Sequence, residues 1–459
     1  MTVLAVLIIL DGGGLLGCAP DRAVESGPTV PNVILIVLDT LRADHLGCYG
    51  YDKATSPRID AFAAESVLYE KALASAPWTV PTHASMFTGK NPFEHGAHTF
   101  RVGQPVNNVN SLHQRHTTLA ETLQAEGFDT AAFVANDAFL GRRWKLDQGF
   151  DRYHVERAYA ERLNEHIVRW LGDRQGRPFF LFINYIDVHW PLNTSPRPGF
   201  KVDASGLQNP EQLLAKIRRA VLPGTGKIPS DLMQQLTELY DLAIANLDEQ
   251  VGALLDFIEG KGLGGNTLVV ITSDHGEYFG EHHLIGHSKD VYQPALSIPL
   301  LIRAPGQAGG QRDKRLISST DLPQLILSHF PQDFIDRRRR VFPDVPGNHL
   351  VLSENYFSRT KHLFGKPWSH RFWRIRTAVF DGSYKFIHSS DGQHELYDLQ
   401  VDPTEKHNLY DVRRQVADQL LVHLEQFQDQ RGRSADAPDT APLTEEDIRR
   451  LKSLGYMGD

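Results

Sequence analysis

Residues 32–38 read NVILIVL, aliphatic at every position after the first. A run without polar alternation is a strand covered on both faces. PFFLFINY at 178–185 and TLVVIT at 267–272 repeat the pattern, and 130–135 and 299–302 are shorter versions of it. Between these runs apolar residues recur at helical spacing. Ile59, Phe62, Val67 and Leu68 mark a helix over 56–69, Leu119 and Leu123 one over 117–126, and 158–171 is a third. The longest is 230–259, where Leu232, Leu236, Leu239, Ala243, Leu247, Val251, Leu254 and Ile258 follow at three- and four-residue steps. Strands and helices alternating in this way predict an α/β fold built on a large doubly wound, mostly parallel sheet flanked by helices.

The pattern changes after about residue 342. Short strands at 377–380, 385–388 and 395–399 are separated by Asp381-Gly382 and Asp391-Gly392, and Asp-Gly between strands signals a hairpin. A helix at 412–428, a polar linker at 431–442 and a short helix at 444–454 follow. The expected organisation is a large α/β domain at 31–345, a smaller antiparallel-sheet subdomain at 346–430, and a linker with a terminal helix at 431–459. Residues 193–229, rich in Pro, Gly and polar residues, read as an excursion holding one helix at about 210–221. There are no internal repeats.

Composition narrows the partners. The chain has 459 residues and a formal net charge of -8, which argues against nucleic acid as the main partner. The basic run at 337–340 is short and reads as a solvated face. Two cysteines, Cys18 and Cys48, cannot form a disulfide framework. Cys18 ends the run Leu15-Leu16-Gly17-Cys18 after the apolar segment 3–10. That arrangement resembles a bacterial lipoprotein signal, so 1–30 is expected to be a signal and tether with lipid on the Cys18 thiol. The expected location is membrane-anchored, in the periplasm or at the cell surface. The apolar run is too short for a conventional transmembrane helix.

Chemistry-bearing residues gather at the strand ends. Asp39 and Thr40 follow the first strand, Asn136 follows 130–135, Asp187 and His189 follow 178–185, and Asp274 and His275 follow 267–272. Open α/β sheets bind ligands beyond the carboxyl ends of their strands. The stretch APWTVPTHASMFTGK at 76–90 places Thr79 two residues before Pro81 and ends near Gly89. Pro at a helix start and Gly past its end make this a loop feeding a short helix. Thr79 would then lie at or just before a helix N-terminus, where outward N–H groups and the dipole favour an anion. Ordinary helix capping is the alternative role for such a hydroxyl. Two Asp and a His suit a divalent metal, and a hydroxyl oxygen beside that metal is a competent nucleophile.

NVILIVLDTLRADHLGCYGY, WTVPTHASMFTGKNPFEHG, TLVVITSDHGEYFGEHHLIGH and ELYDLQVDPTEKHNL resemble, in order, the sulfatase family within the alkaline phosphatase superfamily. The resemblance implies a large α/β domain with a smaller C-terminal one. It puts Asp39, Thr40, Asp274 and His275 on metal-ligand positions and Thr79 on the nucleophile. His83 falls just inside the nucleophile helix, where Arg is usual. Asn136 falls near a family Lys that contacts the substrate anion, His189 matches a family His that contacts it, and His287 stands where many members have Lys. The departures shape the expected chemistry. Family sulfatases oxidise a Cys or Ser to formylglycine at the position of Thr79, which Thr cannot become. Thr40 replaces a second Asp, and His275 replaces a common Asn. Thr with an Asp-His ligand pair is closer to the phosphoryl-transfer members of the superfamily. Their two-metal versions use Asp-x-x-x-His, whereas this chain has Asp187-x-His189, so one divalent ion is expected: Ca²⁺ by family habit, Mn²⁺ or Zn²⁺ by the preference of His275.

The expected function is therefore a metal-dependent hydrolase or transferase of phosphate esters or phosphodiesters, with Thr79 as nucleophile and His83, His189 and His287 assisting. A sulfatase acting without formylglycine is one alternative. A non-catalytic surface binding protein on the same scaffold is another, disfavoured by the retained ligand set. The substrate would be an anionic ester, glycan- or lipid-linked, chosen by 193–229 and the C-terminal sheet.

Overall fold

The computed structural model describes residues 30–102, 106–174, 176–195, 229–345, 350–356 and 372–432, with isolated positions 212–213, 216, 445–446 and 449–450. The Cys18 motif, the helix expected at 210–221 and most of 431–442 and 444–454 lie outside these residues. Among the described residues no helix is long and apolar enough to cross a membrane.

The aliphatic runs form the centre of a nine-stranded sheet. Its strands are β1 (Asn32–Leu38), β2 (Val67–Leu73), β3 (Asp129–Val134), β4 (Arg152–Val155), β5 (Phe179–Tyr185), β6 (Thr267–Thr272), β7 (Ser297–Ile298), β8 (Leu300–Arg303) and β9 (Gln311–Ser318). They run in the order β7-β2-β8-β6-β1-β5-β3-β4, with β9 paired to β2. The five strands β6, β1, β5, β3 and β4 are mutually parallel. Their carboxyl ends therefore lie along one edge. β1 and β5 are buried along their length, as strands covered by helices on both faces must be.

Two expectations are corrected. The helix predicted over 56–69 stops early: α1 is Pro57–Ala64, and Val67 and Leu68 belong to β2. The Ser66 hydroxyl donates to the Phe62 carbonyl at 2.7 Å at the end of α1, and pairing with β8 and β9 then holds Val67 extended. The run at 299–302 enters the sheet as β8, antiparallel to both β6 and β2. The remaining helices used below are α2 (Thr79–Thr88), α3 (Leu119–Ala125), α4 (Ala160–Gly172), α5 (Ser230–Gly260) and α6 (Arg414–Arg431).

A second sheet contains β10 (Val351–Tyr356), β11 (Ile375–Phe380), β12 (Tyr384–Ser389) and β13 (Glu395–Asp398), all antiparallel. Strand alternation divides its apolar residues between two faces. Val351, Ala378, Phe380 and Ile387 join the main core, while Leu352, Val379, Phe386 and Leu396 meet Ala417, Leu420 and Leu424 of α6. Inside it, Lys385 is ion-paired with Glu405, both side chains fully buried. The other Glu405 oxygen accepts from the Gln293 N–H at 2.7 Å.

The second sheet also reaches the segment that leads into α2. The Ser353 hydroxyl donates to the Ala74 carbonyl at 2.6 Å. The Glu354 N–H donates to the Ser75 carbonyl at 2.8 Å, and the Glu354 carboxylate accepts from the Phe93 N–H at 2.9 Å.

Candidate active site

Asp39 is the first residue beyond β1, and its N–H continues the ladder to the Tyr185 carbonyl at 2.9 Å. Its Oδ2 accepts from the amides of Asn136 at 2.8 Å and Asn184 at 3.3 Å. Asn184 comes from β5, in register with Val37 of β1 and Val134 of β3. Its Oδ1 accepts from the Asn136 N–H at 3.1 Å, and the Asn136 Oδ1 accepts from the Phe139 N–H at 3.1 Å. Two strand-end amides thus fix one Asp39 oxygen, and the other, Oδ1, is buried without a hydrogen-bond partner. Thr40 has φ 63, an uncommon and strained conformation for a β-branched residue. The strain is held by three contacts. Its N–H donates to Asp274 Oδ1 at 3.1 Å, its hydroxyl to the Val188 carbonyl at 3.0 Å, and its carbonyl accepts from the Tyr240 hydroxyl at 2.7 Å. Thr40 therefore meets Asp274 through its backbone, with its hydroxyl engaged by Val188.

Asp274 and His275 follow β6. Asp274 Oδ1 also accepts from the His275 N–H at 2.9 Å, while Oδ2 is buried and has no hydrogen-bond partner. The His275 Nδ1–H donates to the Gly276 carbonyl at 3.0 Å, which leaves a lone pair on Nε2. That nitrogen lies 3.3 Å from Asp274 Oδ2 and 3.5 Å from the Thr79 hydroxyl. One ligand atom each from Asp39, Asp274 and His275 lies within 4.8 Å of the others.

The electrostatics favour a cation. Burial, and then the Asp39 charge, push the Asp274 carboxyl well above the carboxylate range. Burial pushes Asp39 upward too, but the field of His189 and the Asn136 hydrogen bond outweigh it and bring Asp39 below its ordinary value. Without a counter-charge the two carboxyls cannot both ionise. Two orphaned buried oxygens beside an oriented imidazole fit a divalent ion, and the Asn amides and Gly276 carbonyl supply the outer shell that aims the ligands.

Thr79 is the first residue of α2, following Trp78 in an extended conformation, and no side chain caps that helix. The capping role is therefore not taken. The Thr82 hydroxyl donates to the carbonyls of Ala76 and Trp78, tying down the entering loop. His83 lies one turn into α2, its Nδ1 donating to the Thr79 carbonyl at 2.9 Å and standing 3.7 Å from Asp274 Oδ2. Burial pulls its pKa down to about 4, so it is neutral. Its Nε2 is buried without a hydrogen-bond partner, and its ring packs edge-on against Phe182 and Phe87. His83 thus braces the first turn of α2 through the Thr79 carbonyl.

On the opposite side the His287 ring centroid is 4.5 Å from that of His275 and 5.1 Å from that of His189. His287 Nδ1 is 3.0 Å from Glu277 Oε2, and burial drives Glu277 up to about 7. Burial, His189 and Lys289 hold His287 well below the usual imidazole range. The His189 Nδ1 donates to the Trp190 carbonyl at 2.6 Å. Asp187 serves elsewhere. Its carboxylate accepts from the Ala160 N–H at the start of α4 and from the Asn193 amide at 2.9 Å.

The expected residues Asp39, Thr40, Thr79, His83, Asn136, His189, Asp274, His275 and His287 thus converge at the carboxyl edge of the parallel strands. Sequence reasoning missed Asn184 and Glu277. Asn184 is the one strongly polar side chain in PFFLFINY, and a buried amide in an apolar run requires a partner. Asn136, expected on the substrate anion, has its amide on Asp39 in this structure.

The sulfatase family model matches residues 31–332. An ulvan-active sulfatase of Formosa agariphila is 25% identical over 462 residues, covering 89% of this chain and 83% of that protein. A multifunctional alkaline phosphatase superfamily protein of Trinickia caryophylli is 25% identical, covering 83% and 91%. Among solved structures, a phosphonate monoester hydrolase from Silicibacter pomeroyi superposes with a TM-score of 0.67 at 19% identity, over 91% of this chain and 98% of that one. A protein solved with its substrate D-glucosamine-2-N,6-O-disulfate gives 0.64 at 19% identity, over 88% and 98%. With the family match spanning the sheet and every strand end that builds the site, the chain belongs to the sulfatase family, and it is a hydrolase acting on sulfuric or phosphoric ester bonds.

Proposed function

We propose that the chain hydrolyses phosphate esters of single negative charge, phosphodiesters foremost, with Thr79 as the nucleophile. The observation that carries this reading is the Thr79 hydroxyl itself: buried, free of capping duty, and 3.5 Å from His275 Nε2 at the N-terminus of α2. A Thr ester of phosphate is opened by water attacking phosphorus, so the covalent route closes without an aldehyde. A divalent ion held by Asp39, Asp274 and His275 would supply positive charge beside that hydroxyl and ease loss of its proton. The Thr79 oxygen attacks phosphorus in line as its proton passes to His189 or His287, the P–O bond to the leaving alcohol breaks, and the imidazole that took the proton delivers it to that alcohol. Water then attacks the phospho-Thr79 phosphorus, giving a phosphate monoester and restoring the hydroxyl. The backbone N–H groups at the start of α2 face the developing charge. Imidazoles that burial keeps neutral at His275 and His287 suit a singly charged anion better than a dianion.

Sulfate monoesters carry the same charge, and the ulvan-active relative favours them as the second reading. The separating experiment uses metal-replete enzyme with aryl phosphodiester, phosphonate monoester, phosphate monoester and aryl sulfate substrates, followed by mass analysis of the quenched Thr79 peptide. A phosphoryl adduct on Thr79 with the diester, and its absence in Thr79→Ala together with activity, is the expected result. Undiminished turnover by folded Thr79→Ala would refute the covalent route. Turnover of the aryl sulfate alone would move the assignment to sulfate esters. If Cys18 is acylated, the enzyme works at a membrane surface.

A further inference from the structure

A second group of ligand-type side chains lies outside the active site, at the sheet's far edge. His154 is in β4, and Glu156 follows that strand by one residue, its N–H still donating to the Val134 carbonyl of β3 at 3.1 Å. Two residues apart on an extended chain, His154 and Glu156 project from the same face. His166 of α4 comes down onto that face, its ring centroid 4.4 Å from that of His154 with the planes inclined by 40°. Both Nε2 atoms converge on one carboxylate oxygen: Glu156 Oε2 is 3.0 Å from His154 Nε2 and 2.9 Å from His166 Nε2.

Hydrogen bonding accounts for only one of these approaches. His154 Nε2 is hydrogen-bonded to Glu156, but His166 Nε2 is buried and makes no hydrogen bond, its N–H direction missing the oxygen beside it. A ring that turns its edge rather than its N–H toward a carboxylate is placed as a metal ligand is. Ligand atoms at ~2.1 Å around a tetrahedral zinc ion are roughly 3.3 Å apart, and one atom from each of the three residues lies within 4.8 Å of the others. The second Glu156 oxygen is 3.3 Å from the Arg162 guanidinium, which orients the carboxylate and leaves Oε2 for the ion. All three side chains are partly exposed, at 26%, 32% and 14%, so a fourth position stays open to water.

We propose that His154, Glu156 and His166 form a second divalent transition-metal site of the zinc type, separate from the catalytic one. Two imidazoles and a carboxylate select Zn²⁺-like ions over Ca²⁺ or Mg²⁺. Three strand spacings separate β1 from β4, which puts the site roughly 14 Å from Asp39. The ion clips the edge strand β4 to α4 and closes the short connection between them.

The experiment is a Zn²⁺ titration of the metal-free full-length protein against a competing chromogenic chelator. Wild type and Asp274→Asn are compared with His166→Gln and Glu156→Gln, each variant checked for native far-UV circular dichroism. Wild type is expected to bind one equivalent more than either edge variant, and Asp274→Asn is expected to keep the edge equivalent. Zn²⁺ should also raise the melting temperature of Asp274→Asn, and that rise should vanish when His166→Gln is added. Equal stoichiometry in wild type and both edge variants overturns the proposal. So does a wild-type protein that binds only the equivalent removed by Asp274→Asn.

Discussion

Replacing Asn136 by serine separates two roles for the strand-end amide that the same loss of activity would otherwise confuse. The serine hydroxyl can still accept from the Phe139 N–H, which Asn136 Oδ1 accepts at 3.1 Å. It is too short to reach Asp39 Oδ2, where the Asn136 amide donates at 2.8 Å. Asp39 keeps the longer contact from Asn184, at 3.3 Å. A hydrogen bond to a charged group contributes about 1.5–3 kcal/mol, and loss of an outer-shell partner weakens metal binding by about 10–100-fold. Asn136→Ser should therefore raise the metal concentration for half-maximal activity by ~10–100-fold. With saturating metal, kcat and the substrate KM should return to within about threefold of wild type, because the reacting atoms are untouched. The assay is initial rate against free metal set by a chelator buffer, repeated over a range of substrate concentration. If the substrate KM rises or kcat falls and metal does not restore them, Asn136 contacts the substrate anion and the positioning role is wrong.

Three further outcomes test the fold. His98, stacked on Tyr356 with ring centroids 3.7 Å apart, is held by burial at a pKa of about 4. Between pH 6.5 and 4 the unfolded chain takes up a proton there that the folded chain refuses, so stability falls with pH through that window, by up to ~3 kcal/mol. His98→Phe should flatten that part of the curve, as read by urea unfolding at pH 7 and pH 4.5. Lys385→Met leaves Glu405 buried without its cation and should cost ~3–5 kcal/mol. Adding Glu405→Gln, which keeps an acceptor for Gln293, should recover most of the lost melting temperature. Gly149 has φ +83, and a Cβ there would lie 2.1 Å from the Glu121 nitrogen of α3. Gly149→Ala should cost at least ~3 kcal/mol from backbone overlap and left-handed strain together, seen as a lowered denaturation midpoint.

The sheet was readable because burial on both faces leaves an unbroken aliphatic signature, as at β1, β5 and β6. β2 escaped because VLYEKAL carries Glu70 and Lys71 and follows a helix without a glycine or proline break. Its strand state comes from β8 and β9, partners more than two hundred residues away, which local periodicity cannot report. The residues that meet at the carboxyl edge were legible from their position after each strand, whereas their mutual contacts were not. Thr79 and Asn136 carry the same kind of polar group. One is left facing His275 and the other is spent on Asp39, and that difference lies in side-chain direction. Glu277 was visible within SDHGE but had no role until the fold brought His287 to within 3.0 Å of it.

The bonds from Ser353 and Glu354 to Ala74 and Ser75 also set the timing of assembly. They join residues 279 apart in the chain, and they brace the segment that runs into Thr79. During synthesis Thr79 emerges early, but the strand that braces its approach leaves the ribosome only in the last quarter of the chain. Chains stalled before β10 can form much of the large sheet and yet lack a braced approach to Thr79. Thr79 is therefore seated late, after most of the large sheet has been made.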